Sequence, residues 1–375
     1  MARLAQLNRW LEQRWVAPAY IGWVLLGLAV FFFAAATNTL AGWLYVMSGM
    51  IMGLLLLAVL LPPRNLQGLE VQRSGISPVS VGQPMIISLA VKNSRGRSKG
   101  LFQLIDPIPS PLGEAPTQAF SAVGPGQAQD WHYRLITQQR GVYRWAGVYL
   151  RSAAPLGLFW CRRWAAAPAE AVVYPHILPL QRCPMIDTLG QASGLHWPQS
   201  PRVQPATEGV TRALRPYRWG DPTRLIHWRT SARYGELRVR ELEKVIAGQE
   251  VILALNTAAR WSPDQFEQAV IAAASLYVYS LNRGLAAALW LPHQSLLRGY
   301  HRVLTVLAEV HPLATTDAVD WPDQAVVWFT PLEASQQLAA GSQQVVWGPA
   351  STATHGRVLW IDPQAALQPQ LQVLP

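Results

Sequence analysis

Between Arg14 and Arg64 the chain runs for 49 residues without an Asp, Glu, Lys or Arg, and beyond that stretch its texture changes twice. The charge-free stretch divides into Tyr20–Ala36 and Leu40–Leu61. Each part is about the length that crosses hydrocarbon, since a helix needs roughly 20 apolar residues to span about 30 Å. The polar step Thr37–Thr39 reads as a turn, and Pro62-Pro63 as the stop of the second helix, because proline has no amide to donate. A tight helical hairpin is predicted. From about Leu66 to Pro175, short alternating runs such as MIISLAVKN, WHYRLIT and AGVYLRS are separated by Gly, Pro, Ser and Asn, which predicts an antiparallel β-sandwich. RGVYRW at Arg140–Trp145 and PLGLFW at Pro155–Trp160 place turn residues between apolar anchors, an architectural rather than a chemical signal. Leu180 to Thr207, rich in Pro, Gln, Ser and Gly, has little periodicity and reads as a linker or extended connection. From Glu250 onward VILALN, LAAALWLP, AVVWFT and RVLWID alternate with helical patterns, as in an α/β domain whose parallel sheet is covered on both faces and joined by right-handed crossovers. The expected organisation is a membrane anchor over 1–64, a sandwich-like domain over 65–179, a linker over 180–207 and an Arg-rich element with an α/β domain over 208–375.

Composition strengthens the membrane reading. Half the residues are hydrophobic, only 14% are charged, and the 17 Trp supply rings suited to membrane interfaces. Arg3, Arg9 and Arg14 precede the first span and Arg64 and Arg73 follow the second, whereas the turn between them is uncharged. By the positive-inside rule both termini are expected in the cytoplasm of a two-pass protein of the plasma (inner) membrane. The alternative is a cleaved signal peptide ending at Ala34-Ala35-Ala36, but a second, longer apolar run follows at once. Cys161 and Cys183 lie in no metal-ligand spacing, so two reduced thiols are expected rather than a zinc site.

The formal charge is +10, and all basic residues except Lys92, Lys99 and Lys244 are Arg. A GC-rich coding preference explains such a skew as readily as selection for permanent, two-pronged anion pairing. The skew is concentrated between Arg202 and Arg240, where nine Arg face only Glu208, Asp221 and Glu236. Within it, Asp221 has the character of an N-cap, Pro222 of a first helical residue and Gly235 of a C-terminal stop, which predicts a helix over about Thr223–Tyr234. After Gly235, ELRVRELE alternates like an edge or half-buried strand with Leu237 and Val239 on one side. Spacings of four pair Arg224 with Trp228, as a cation–π contact, and His227 with Ser231.

The run RPYRWGDPTRLIHWRTSARYGELRVRELE resembles the defining motif of the domain-of-unknown-function 58 family, a G-D-x-x-R-x-I-H-W core followed by S-A-R. Gly220, Asp221, Arg224, Ile226, His227, Trp228, Ser231, Ala232 and Arg233 carry it, with Arg215 and Tyr217 just upstream, and RGVY and PLGLF are also similar to that family. The resemblance implies a membrane-anchored protein with a C-terminal domain like von Willebrand factor A and a MoxR-type AAA+ ATPase as partner. It implies no enzymatic activity. A metal-dependent adhesion site on such a domain requires D-x-S-x-S after the first strand, where this chain has Asn256, Thr257, Ala258, Ala259 and Arg260; neither metal nor cofactor is therefore expected.

Two other function classes fit parts of the pattern. Asp221, His227 and Ser231 can be drawn as acid, base and nucleophile of a hydrolase, although Asp221 is sufficiently explained as a helix cap. Arg interleaved with Tyr217, Trp219 and Trp228 would suit an anion- or nucleic-acid-binding module, but no recognised nucleic-acid motif is present. No P-loop appears, so nucleotide hydrolysis is left to a partner. The leading expectation is an adaptor or scaffold in the assembly or maturation of other proteins, whose key element comprises Arg215, Tyr217, Gly220, Asp221, Arg224, His227, Trp228, Ser231 and Arg233.

Overall fold

The structure, a computed structural model, describes residues 8, 10–191, 202–206, 210–216, 225–246, 250–292, 294, 296–313, 324–331, 338–339, 341–348 and 358–373. The chain divides into two units, Met1–Pro175 and His176–Pro375.

The first unit opens with a two-residue strand β1 (Ala17–Pro18) and the helices α1 (Tyr20–Thr39) and α2 (Gly42–Leu66), both long and apolar enough to cross a membrane. The turn falls later than expected. Thr37 and Thr39 donate their hydroxyls to the Ala34 and Ala35 carbonyls and stay helical, and the reversal occurs at Leu40, whose φ is 52°. Pro62-Pro63 does not stop α2 either; the helix runs on to Leu66 because the Lys99 ammonium caps the Arg64 carbonyl at 2.7 Å and Asn65 donates to the Gly100 carbonyl at 2.7 Å. Between the helices Ala29, Ala36, Leu44 and Ser48 are buried, and Ser48 donates across the hairpin to the Ala29 carbonyl at 2.8 Å. Small residues that admit close approach, with a buried polar bridge, are the means by which helices associate in lipid. Much of the outer surface, including Trp23, Phe31, Phe33, Val46, Leu56 and Leu60, is exposed.

The strands of this unit are β2 (Leu69–Arg73), β3 (Val79–Ser80), β4 (Pro84–Asn93), β5 (Lys99–Ile105), β6 (Thr117–Val123), β7 (Ala128–Ile136), β8 (Gly141–Ser152) and β9 (Phe159–Tyr174). They form a three-stranded sheet in the order β2-β4-β7 and a larger one in the order β1-β9-β8-β5-β6, with β3 alongside β9. β4 alternates as its sequence predicts, with Met85, Ile87, Leu89 and Val91 all buried. Inside the core sits a buried ion pair. Arg73 grips Asp106 with two nitrogens at 2.6 and 2.9 Å, Tyr133 and Trp145 donate to the same carboxylate at 2.6 and 2.8 Å, and Arg73 also donates to the Ala167 carbonyl at 3.2 Å. Trp145 is the last residue of RGVYRW, which gives that phrase its structural role.

In the second unit, helix α3 (Pro184–Gln191) and strand β10 (Arg202–Ala206) occupy part of the stretch expected to be a linker. Composition shows little of this because β10 is held by pairing with β12, a distant partner, rather than by its own periodicity. β11 (Val210–Pro216) and β12 (Arg238–Ile246) complete a three-stranded antiparallel sheet in the order β10-β12-β11, with the short helix α4 (Trp228–Tyr234) between them in sequence. Of the two readings of ELRVRELE, an edge or a half-buried strand, the edge falls away, since it lies largely in the central strand β12; Val239 is buried while Leu237, just before β12, is exposed. The remaining elements are β13 (Glu250–Leu255), α5 (Pro263–Asn282), β14 (Ala286–Trp290), α6 (Tyr300–Glu309), β15 (Val327–Pro331), β16 (Gln343–Trp347), β17 (Val358–Ile361) and α7 (Leu367–Leu371). Their sheet is wholly parallel with the order β14-β13-β15-β16-β17, a mixed α/β arrangement. Continuous burial along β13 and β15 matches their unbroken apolar sequences.

Candidate functional site

The Arg-rich element is built around α4. Ile226 bridges Val239 of β12, and the His227 amide donates to the Arg238 carbonyl at 2.8 Å, so the strand fixes where the helix starts. His227 is the N-cap: its ring Nδ1 accepts from the Thr230 amide at 3.2 Å and lies 2.7 Å from the Thr230 hydroxyl. The helix therefore begins at Trp228, five residues later than expected, capped by the ring of a residue whose backbone amide is tethered to β12; Asp221, the expected cap, lies outside the described residues. The predicted stop holds: Gly235 adopts φ 74° and donates to the Ser231 carbonyl at 2.9 Å.

Ser231 is buried, and its hydroxyl donates to the His227 carbonyl at 3.0 Å while accepting the Arg238 amide at 2.9 Å. It rivets α4 to β12. The spacing of four does bring Ser231 back to His227, but to its carbonyl; Nδ1 of the ring engages Thr230. Trp228 is 65% exposed, and Arg229, Ala232 and Arg233 are exposed with it. Positions 228 and 232, and 229 and 233, are each one turn apart, so an aromatic ring and two guanidinium groups share the open side of a helix whose other side is spent on anchoring. Glu236 pairs with Arg238 at 2.6 Å. Arg215 lies on β11 opposite Val239. Tyr217, Gly220, Asp221 and Arg224 lie outside the described residues.

At the other candidate position, Asn256 and Thr257 follow β13 and are buried. The Asn256 amide donates to the Phe329 carbonyl at 3.1 Å, its carbonyl accepts Trp261 Nε1 at 2.6 Å, and the Thr257 carbonyl accepts the Leu313 amide at 2.7 Å. These backbone bonds shape the carboxyl ends of β13 and β15. Among the described residues no group of three or more His, Cys, Asp and Glu is gathered to hold a metal. Cys161 and Cys183 are both free and buried, and burial raises both thiols, Cys183 to about 11, which makes them poor nucleophiles.

These features define a two-unit chain with an apolar helical hairpin and sheet-rich mixed α/β architecture, carrying a short Arg-rich helix riveted to a strand. Residues 213–312, which contain that helix, match the family model described as "Protein of unknown function DUF58", so this stretch belongs to the family its motif resembles. No curated protein matches. Solved structures with a similar part include the CARDB domain of a Pyrococcus furiosus protein (16% identity, 28% of this chain and 94% of that one, TM-score 0.21). Others are a β-glucosidase from Listeria innocua in complex with isofagomine (13%, 29% and 16%, 0.19) and the alkylpurine DNA glycosylase AlkC of Pseudomonas fluorescens (10%, 28% and 30%, 0.18).

Proposed function

We propose that the protein is a membrane-anchored cytoplasmic adaptor that docks a MoxR-type AAA+ ATPase through the exposed side of α4, in the assembly or maturation of other proteins. The observation that carries this reading is the division of labour within the motif. The groups available for chemistry are occupied, the His227 ring in capping α4 and the Ser231 hydroxyl in tying it to β12, while Trp228 and Arg233, residue types that dominate binding energy at protein interfaces, are left open. The hairpin, read as two transmembrane spans with both ends in the cytoplasm, supplies the anchor, and the parallel α/β sheet is read as a domain like von Willebrand factor A.

Full-length protein solubilised in mild detergent is expected to retain the ATPase. Trp228→Ala combined with Arg233→Glu is expected to weaken that retention about thirtyfold, the effect of losing one interface hot spot, without lowering the melting temperature. Unchanged retention by the double variant, or failure of the wild-type protein to retain any AAA+ ATPase, contradicts the proposal.

A further inference from the structure

The first unit holds a cavity of about 520 Å³ between the turn joining β8 to β9 and the β5–β6 hairpin. Its walls include Leu101, Phe102, Phe120, Pro155 and Trp160, and Arg151 stands at its edge. The turn is locked to the helical hairpin. The Leu158 carbonyl accepts the Ala19 amide at 2.8 Å, Phe159 and Trp160 pair with Pro18 and Ala17, and the Leu158 side chain packs on Leu55 and Ala58 of α2. Gly22 permits this approach, since a Cβ there would meet the Leu158 carbonyl oxygen at 2.5 Å. Leu55 and Ala58 belong to the apolar run that ends at Leu61, about 9 and 4.5 Å short of its end at 1.5 Å rise per residue. If α2 spans a bilayer, the turn that walls the cavity therefore lies at the boundary of the hydrocarbon.

Two further observations bear on what the cavity suits. Leu101 is 66% exposed with φ 50°, a left-handed backbone that disfavours leucine and suits Asn or Gly. An apolar side chain held there, in the open and in an unfavourable conformation, makes sense facing an apolar partner. Arg151, which lines the cavity, shares the single carboxylate of Glu12 with Arg162, at 2.5 and 3.6 Å, and also stacks 3.9 Å from the Trp160 ring centroid. That cluster carries surplus positive charge beside the cavity.

We propose that this cavity binds an anionic phospholipid from the adjoining leaflet, with an acyl chain against Leu101, Phe120 and Trp160 and the phosphate at Arg151. The inference rests on the reading of α1 and α2 as transmembrane helices. The test uses full-length protein in phosphatidylcholine bilayers containing a phosphatidylglycerol with a photoreactive group on one acyl chain, and maps the adducts by mass spectrometry. Adducts are expected at Leu101 and Pro155–Gly157 as well as on exposed hairpin residues such as Phe31 and Leu56. The cavity adducts should fall about tenfold in Leu101→Asn, which suits the left-handed backbone and keeps the fold, and in Ala119→Trp, which fills the cavity from its exposed wall. Labelling of the hairpin with none at the cavity, or cavity labelling indifferent to both substitutions, overturns the lipid site alone. Labelling of neither overturns the transmembrane reading with it, and equal cavity labelling by a phosphatidylcholine probe overturns the assignment of the phosphate to Arg151.

Discussion

Replacing Asp106 by Ala is expected to destabilise the first unit by about 3–5 kcal/mol, the usual result of stranding one member of a buried ion pair. Asp106 and Arg73 have side chains 0% and 2% exposed, so the guanidinium left behind has no route to water. The Tyr133 hydroxyl and the Trp145 indole would lose their acceptor in the same step. Chemical denaturation of full-length protein in detergent, followed by a probe on β7 or β8, measures the effect. The same cluster sets an alkaline limit. Burial first, then hydrogen bonding to Asp106, pushes the Tyr133 hydroxyl well above its ordinary value of 10.0. Above about pH 10 the unfolded chain gives up that proton while the folded one keeps it, so stability falls as pH rises. Tyr133→Phe should flatten that part of the pH profile. A loss below about 1 kcal/mol in Asp106→Ala would mean that the pair is not buried as described.

Trp347→Ala is expected to cost the second unit about 3–5 kcal/mol, the range for truncating a large buried aromatic. Trp347 is 1% exposed and lies on β16, 5.6 Å from the ring of Trp261 and 6.4 Å from that of Phe329 on β15. Its indole donates to Gln268 on α5 at 3.1 Å, so one side chain ties the sheet to its long helix. Trp347→Phe keeps most of the ring volume and should recover more than half of the loss. If the two substitutions proved equal, the hydrogen bond to Gln268 and not the packing would be the dominant contribution.

The parts of this fold that were legible in the sequence are those governed by local periodicity. The charge-free run yielded the two helices, the alternation in MIISLAVKN yielded β4, and VILAL and AVVWF, apolar throughout, yielded buried parallel strands. Where distant groups decide, the sequence misled. Pro62-Pro63 reads as a stop until Lys99 and Gly100, some 35 residues on, take over the end of α2. Arg73 and Asp106 are 33 positions apart, with Tyr133 and Trp145 further still, and no spacing rule joins them. In the candidate site the stop at Gly235 was readable because a left-handed glycine leaves a local signature. The start was not, since His227 caps α4 through its attachment to β12. The role of Ser231 was hidden for the same reason: its acceptor function serves an amide seven residues later, across a change from helix to strand.

The proposed adaptor role requires α1 and α2 to be embedded in lipid with the rest of the chain on the cytoplasmic side. Alkaline carbonate extraction of membranes, combined with protease added to intact cells, tests this with the native full-length protein. The expected result is that the protein stays in the carbonate-resistant pellet and that its C-terminal unit survives external protease but is digested once the cells are opened. Release into the carbonate supernatant, or digestion of the C-terminal unit in intact cells, would contradict it.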